Sequence, residues 1–206
     1  MGQIHLCTRI INIPHPPDSL GIPNFAGNVA GRSFHKRRSD SIFNRKRMKT
    51  VLIVVGKTQN RQLDALIEDN RGRIGHYVPF RMEVQPELRN TRGLSFEQQK
   101  EREGKELLGR IQNGDWVILL DERGKEMRSV EFAAFLDKRM QSSRKRLVFI
   151  IGGPYGFSEE VYQRADELFS LSKMTFSHQM VRLIFVEQLY RGLSILNGEP
   201  YHHESE

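Results

Sequence analysis

Residues 147–158, LVFIIGGPYGFS, join an apolar run to a glycine-rich turn and then to a serine. The run at 147–151 is typical of a strand that is buried on both faces of a parallel sheet. Ser158, followed by Glu159 and Glu160, is typical of the start of a helix. Glycine turns between a strand and a helix often hold phosphate groups. The stretch therefore raises the question of which ligand, if any, the turn binds.

The glycine spacing in this turn excludes the two common phosphate-binding motifs. A P-loop requires G-x-x-x-x-G-K-[ST], and no lysine follows GGPYG. The dinucleotide fingerprint requires G-x-G-x-x-G after the first strand, whereas this turn has other spacing and follows a late strand. Taken alone, the turn is best interpreted as structural, with Pro154 and the glycines setting the backbone dihedral angles. A ligand held by backbone groups and apolar contacts is the alternative.

Strands and helices alternate along most of the chain. Apolar runs predict strands at 50–55, 77–84, 116–120, 147–151 and 169–171, and Pro79 places the second of them at a sheet edge. Helical spacing predicts helices at 59–70, 95–114, 130–140, 158–166 and 178–197, with a capping box of Ser95 and Gln98. This alternation predicts an α/β fold with a mostly parallel sheet flanked by helices. Ligands bind such sheets at the carboxyl ends of strands, where we expect the loops 121–124, 152–156 and 172–177.

Composition indicates a globular protein of 206 residues, 38% hydrophobic and 28% charged. No apolar run approaches the ~20 residues that span a bilayer, so we expect no membrane association. The single cysteine, Cys7, excludes an intramolecular disulfide and suits a reducing compartment, which favours a cytoplasmic location.

The net charge of +7 is concentrated at the N-terminus. Residues 1–47 hold eight Lys or Arg against two Asp, whereas residues 48–206 hold 24 Lys or Arg against 23 Asp or Glu. The first segment is proline-rich and unpatterned, and Met48 opens a strand-like run. We therefore predict that 1–47 is a disordered or non-native extension and that 48–206 is the domain. Bulk charge does not identify a partner for this domain.

Three segments in order carry a more specific signal: LLDERGK at 119–125, IIGGPYGF at 150–157, and SLSKMTFSHQMVRLIFVEQLYRGLSILNGEPYHHE at 170–204. Together they resemble the RlmH family, the pseudouridine-N3 methyltransferases of large-subunit ribosomal RNA, in the SPOUT (α/β-knot) class. The resemblance covers about residues 48–204. Its most specific part is the pattern LS-x-x-T-x-x-H-x-x-x-R-x-x-x-x-E-Q-x-Y-R followed by PYHHE.

The resemblance implies a C-terminal trefoil knot, a homodimer with the site near the interface, S-adenosyl-L-methionine as cofactor, and ribosomal RNA in the assembled ribosome as substrate. An adenine and a methionyl arm need apolar walls and backbone donors rather than phosphate anchors. By position, we expect cofactor contacts from Leu120, Gly152, Gly153, Gly156, Leu171, Ser172, Lys173, Met174, Thr175 and Phe176.

The implied reaction requires a proton to leave the imide nitrogen of the base. Histidine titrates nearest neutrality, so His178, His202 and His203 are candidates for its removal. Of these, His178 and His202 are taken as catalytic candidates, together with Tyr201 and Arg191. The alternatives are a local hydrogen bond for His178, a frayed terminus for His202, and an ion pair with Glu187 for Arg191. We expect Arg182 and Arg191 on the same side of the last helix. No metal is required, and no metal-binding spacing is present.

Two groups of cations are candidate RNA contacts, although a solvated charged loop is the usual explanation for such groups. They are Lys138, Arg139, Arg144, Lys145 and Arg146 around one loop, and Arg89 with Arg92 in another. Tyr155 either stacks on a base or packs, and packing is favoured. Two other functions stay open: a SPOUT enzyme with a different RNA target, and a non-catalytic ribosome-binding or assembly factor on the same fold.

Overall fold

The computed structural model describes residues 48–199, and the strands of this part form one five-stranded sheet. They are β1 (Lys49–Val55), β2 (Phe80–Gln85), β3 (Asp115–Glu126), β4 (Arg146–Ile151) and β5 (Glu167–Ser170). The strand order is β2-β1-β4-β3-β5, and every pairing is parallel. The predicted α/β class is confirmed, and β2 lies at an edge as Pro79 indicated.

Helices cover both faces of the sheet. They are α1 (Arg61–Gly75), α2 (Phe96–Leu108), α3 (Ser129–Met140), α4 (Glu159–Arg164) and α5 (Met180–Leu196). Successive strand side chains point to opposite faces, so Leu52 and Val54 of β1 pack in the cluster covered by α1, α3 and α5. Val51 and Ile53 pack in the second cluster, which is covered by α2 and α4. Burial on both faces explains why the strands read as continuous apolar runs.

Helix α5 runs the length of the domain and packs against both α1 and α3. At its start, the Arg182 Nη2 donates a hydrogen bond of 2.6 Å to the carbonyl oxygen of Val55, the last residue of β1. Just past its end, the Tyr77 hydroxyl donates a hydrogen bond of 2.6 Å to Glu199 Oε2, close to the start of β2. The helix therefore begins at the carboxyl ends of the strands and ends at their amino ends.

Helix boundaries match the sequence predictions only in part. The capping box of α2 is confirmed, because Gln98 N donates to Ser95 Oγ at 3.2 Å and Ser95 N donates to Gln98 Oε1 at 3.0 Å. Its predicted end at residue 114 is wrong, since the helix stops at Leu108. The predicted end of α1 at residue 70 is also wrong. That helix continues to Gly75 because Ile74 is buried in the core, and this burial outweighs the ~1 kcal/mol that a glycine costs in a helix.

Strand β3 is longer than predicted. The sequence pattern placed its end at Leu120 and a loop at 121–124, but the strand continues to Glu126. The continuation is irregular, because both Leu120 and Lys125 pair with Phe169 of β5. Gly124 permits this close approach: a Cβ atom there would lie 2.5 Å from the backbone nitrogen of Phe169. The predicted loop is therefore a bulged part of the sheet.

Two sequence predictions extend past what the fold establishes. Residues 1–47, including Cys7, lie outside the described part, so the two-part division of the chain stays a prediction. The trefoil knot implied by the resemblance stays a prediction as well. Between residues 48 and 199, the helices are too short or too polar to cross a membrane.

Candidate functional site

A cavity of about 940 Å³ lies at the carboxyl ends of β3, β4 and β5. Three chain segments contribute most of its wall: the bulged end of β3, the turn after β4 and the segment after β5. These are the three loops that the sequence pattern placed at this edge, and parallel sheets bind ligands at this edge. The volume lies within the range of small-molecule sites, roughly 300–1,000 Å³.

The predicted cofactor residues, with one exception, line this cavity. Leu120, Gly152, Gly153, Gly156, Leu171, Ser172, Met174, Thr175 and Phe176 contribute to its wall. Lys173 does not, and its side chain is exposed to solvent. The fold thus brings the three predicted segments together, while their contact with a cofactor stays a prediction.

The glycine turn after β4 is held from behind by helix α2. Gly156 N donates to the Gly153 carbonyl oxygen at 3.1 Å, and Gly153 N donates to Glu103 Oε1 at 3.0 Å. A Cβ atom at Gly153 would lie 2.6 Å from the same carboxylate, so a side chain there would displace Glu103. Burial raises the pKa of Glu103, and the hydrogen bond from Gly153 offsets part of that shift. Glu103 therefore fixes the position of the turn.

Short side-chain hydrogen bonds shape the segment after β5. Ser170 Oγ donates to the Ser172 carbonyl oxygen at 3.0 Å, and Met174 N donates to Ser172 Oγ at 3.0 Å. Met180 N donates to Ser177 Oγ at 3.3 Å as the chain enters α5. These side-chain hydrogen bonds take the place of the interstrand hydrogen bonds of β5 and hold the segment in a turn at the cavity.

Arg182 anchors the same segment to β1. Its side chain is fully buried and donates to the carbonyl oxygens of Val55 at 2.6 Å and His178 at 3.0 Å, and to Thr58 Oγ1 at 3.2 Å. Burial lowers the pKa of Arg182, although an arginine remains charged at neutral pH. The cation thus satisfies a strand-end carbonyl and fixes the backbone beside the cavity.

The four catalytic candidates fall in different places. His178 lines the cavity. Arg191 does not, and its Nη2 lies 2.7 Å from Glu187 Oε1, which is the ion pair considered from the sequence. Tyr201 and His202 lie outside the described residues 48–199. The expectation that Arg182 and Arg191 share a side of the helix is wrong, because nine residues at about 100° each leave them half a turn apart.

The sequence reasoning did not single out the acidic residue at the end of β3. The Tyr162 hydroxyl donates to Asp121 Oδ2 at 2.5 Å, and Arg123 Nε donates to Asp121 Oδ1 at 3.0 Å. Burial acts to raise the pKa of Asp121, but the hydrogen bonds from Tyr162 and Arg123 outweigh it and lower the pKa. An ionised carboxylate therefore lies in the cavity wall. Its position directly after a buried strand was the available signal.

Removing the Tyr162 hydroxyl tests whether it stabilises the ionised carboxylate of Asp121. We expect Tyr162→Phe to reduce stability at pH 7 by about 1–2 kcal/mol, because the ionised carboxylate loses a donor. The pKa of Asp121 is lowered in the folded state, so the pair stabilises above the ordinary pKa of 3.8, and this is lost as pH falls through the lowered pKa. The difference between variant and wild type should accordingly shrink in acid.

Thermal unfolding of Tyr162→Phe, Asp121→Asn and the double variant at several pH values measures this coupling. The double variant should lose less than the sum of the two single variants. Additive losses at pH 7 would show that the hydroxyl and the carboxylate do not interact.

Three of the seven predicted RNA-contacting cations, Arg139, Arg144 and Arg146, form ion pairs within the domain. Arg139 pairs with Glu167 at 2.5 Å, and its guanidinium lies 4.7 Å from the Trp116 ring centroid. Arg146, the first residue of β4, donates to Asp115 Oδ1 at 2.8 Å. This cluster lies at the amino ends of the strands, opposite the cavity. By contrast, Arg89 and Arg92 are exposed in the segment that follows the carboxyl end of β2.

The chemical character of the wall fits S-adenosylmethionine. Leu120, Ile151 and Leu171 give it apolar surface, and Gly153 leaves the backbone of the turn uncovered by a side chain. The ionised Asp121 suits a ligand that carries a positive charge and donor groups. Within residues 48–199, no three His, Cys, Asp or Glu side chains cluster closely enough to hold a metal ion.

Comparison with known proteins identifies close relatives. The sequence model of a family described as "Predicted SPOUT methyltransferase" matches residues 48–202. Proteins named ribosomal RNA large subunit methyltransferase H match over 157 residues, which is 76% of this chain and 100% of each relative. The identity is 59% for Bacteroides thetaiotaomicron, 60% for Bacteroides fragilis and 54% for Porphyromonas gingivalis.

Proposed function

Because the chain belongs to the SPOUT methyltransferase family, we propose that it transfers a methyl group from S-adenosylmethionine to N3 of a pseudouridine in large-subunit ribosomal RNA. The observation that carries this proposal is the cavity of about 940 Å³ walled by the three segments that the resemblance assigns to the cofactor. The relatives' shared name supports large-subunit ribosomal RNA as the methyl acceptor.

The cavity wall supplies the groups that hold the cofactor. Leu120, Ile151 and Leu171 would give apolar surface to the adenine, and the backbone of the glycine turn would hold its polar edge. Asp121 would accept hydrogen bonds from the ligand and would lower the energy of a nearby positive charge. When bound, S-adenosylmethionine supplies an electrophilic methyl group on a positively charged sulfur. Leu171, Ser172 and Met174–Phe176 of the segment after β5 form the other wall.

Proton removal from the imide nitrogen falls to His178 in this proposal. His178 lines the cavity, and its backbone carbonyl is held by the buried Arg182. A fixed backbone limits the positions that the imidazole can reach, which favours alignment with the substrate base. Arg191 serves as a contact for RNA from the outer part of α5, where it is paired with Glu187.

The direction of α5 supports a homodimer. Its 17 residues span about 25 Å from the cavity to the far end of the sheet. His202 follows Glu199 by three positions, a reach of at most about 11 Å. For Tyr201 and His202 to meet the substrate base, they must therefore enter the cavity of a second copy. The proposal accordingly includes an active site shared between two chains.

The test combines cofactor binding with methyl transfer. Titration calorimetry should detect S-adenosylmethionine binding to the full chain. Labelled methyl groups should then enter the large-subunit RNA of assembled ribosomes from a strain that lacks the modification, and mass spectrometry should locate them at N3 of a pseudouridine. Ribosomes that already carry the modification are the control and should accept no label.

Two results would contradict the proposal. Absence of cofactor binding would leave a non-catalytic ribosome-binding or assembly factor on the same fold. Methylation at another nucleotide, or in another RNA, would leave the enzyme class intact but change the substrate. A cytoplasmic location is part of the proposal because its substrate is the ribosome.

A further inference from the structure

Two aromatic rings stack on each other in solvent at the rim of the cavity. The centroids of Phe96 and Tyr155 are 4.5 Å apart and the rings are inclined by 26°. Phe96 is 64% exposed and Tyr155 is 42% exposed. Within the described part of the chain, neither ring belongs to the two hydrophobic clusters of the core. Core packing therefore does not account for this pair.

Both rings are attached to rigid elements. Phe96 is the first residue of α2 and follows Ser95, whose capping box fixes the start of the helix. Tyr155 lies in the turn between Gly153 and Gly156, which pair with each other in an antiparallel bridge. Glu103, also on α2, binds the backbone of that turn at 3.0 Å. The two rings are thus held in one orientation by the same helix.

The pair lies beside the cavity and near cationic side chains. Tyr155 lines the cavity, as does Lys100 one helical turn beyond Phe96, where Lys100 pairs with Glu97 at 2.7 Å. Arg89 and Arg92 are exposed in the segment that leads into α2. A rigid aromatic surface beside cations is the arrangement that binds unpaired nucleotides, with bases on the rings and phosphates on the cations.

We propose that the Phe96–Tyr155 pair is a stacking platform for an unpaired nucleotide of the RNA that flanks the methylated base. This proposal rests on the proposed function and specifies how that site selects its RNA. Phe96 presents the more exposed ring, so its outer face receives the base. Stacking on a ring face tolerates any base, so the platform selects unpaired structure at that position rather than a particular sequence.

The test measures binding of assembled ribosomes to the full chain, independently of methyl transfer. We expect Phe96→Ala to weaken binding about 5- to 100-fold, the usual effect of losing one base–aromatic stack. Phe96→Trp should restore it, because a larger ring keeps the stacking face. Leu66→Ala is the matched control, since Leu66 is 50% exposed on α1 and lies outside the cavity wall. Affinity for S-adenosylmethionine should stay within about twofold in all three variants.

The outcomes separate this proposal from the proposed function. Unchanged ribosome binding by Phe96→Ala would overturn the platform. A change of oligomeric state in Phe96→Ala, measured by sedimentation, would also overturn it, because a second copy of the chain would then cover the rings. Binding that depends on Phe96 without any methyl transfer by the wild type would support the platform and refute the proposed function.

Discussion

Gly153→Val should reduce the affinity for S-adenosylmethionine by about 100-fold or more while leaving the fold intact. A Cβ atom at this position would lie 2.6 Å from the Glu103 carboxylate. Glu103 must then move, and the hydrogen bond from Gly153 N is lost with it. Losing a charge-assisted bond of this kind costs about 1.5–3 kcal/mol, and the branched side chain displaces the turn further.

The fold should tolerate this change because the atoms in contact belong to the end of a flexible side chain rather than to the backbone. Gly72→Val is the matched control. A Cβ atom there would meet nothing within 4 Å, and Gly72 lies on α1 away from the cavity. Calorimetry and thermal unfolding of both variants decide the matter. Normal cofactor binding by a folded Gly153→Val protein would mean that the turn is not a wall of the cofactor site.

Arg182→Met should have the largest effect on stability among single side-chain changes in this region. Two opposing contributions decide whether the substitution raises or lowers the free energy of unfolding. Removing the buried guanidinium relieves a desolvation cost, which is why burial lowers its pKa. It also leaves the carbonyl oxygens of Val55 and His178 without their donor. We expect the second term to dominate, with a net loss of about 3 kcal/mol and a Tm lower by about 6–12 °C.

Arg73→Met is the matched control, since Arg73 is exposed and pairs with Asp69 at 2.9 Å on the same helix. An exposed pair of this kind contributes at most about 0.5 kcal/mol. Arg182→Lys should fall between the wild type and Arg182→Met, because one ammonium can reach some of the same acceptors. If Arg182→Met unfolds at the wild-type temperature, the desolvation cost equals the three hydrogen bonds, and Arg182 has no net stabilising role.

The sheet could be predicted from the sequence because its central strands are buried on both faces. Residues 51–55 and 147–151 are apolar throughout, and such runs are typical of strands that are covered on both faces of a sheet. The far end of α1 could not be predicted, because Gly72 is a local stop signal and only tertiary burial of Ile74 overrides it. The bulge in β3 could not be predicted for a similar reason. Gly124 permits a close backbone contact with Phe169, and the local sequence does not indicate this contact.

The three segments of the site could be predicted because strand ends in a parallel sheet meet at one edge, and the family resemblance names the same segments. The contribution of α2 to the site could not be predicted. Glu97, Lys100 and Glu103 lie on a largely polar helix, and nothing in that sequence indicates which loop the helix faces. The role of Arg182 could not be predicted either, because a cation on an apolar helix does not indicate that it bonds a backbone carbonyl of a distant strand.

The continuation of β3 past Leu120 bears on how a ligand is received. Asp121 belongs to a strand whose preceding residues, Ile118 and Leu119, are completely buried and paired with β4. Its backbone is therefore in place once the sheet has formed, and its side chain is already held by Tyr162 and Arg123. A charge of this kind need not reorient when a ligand arrives, so the reorganisation energy on this side of the cavity is small.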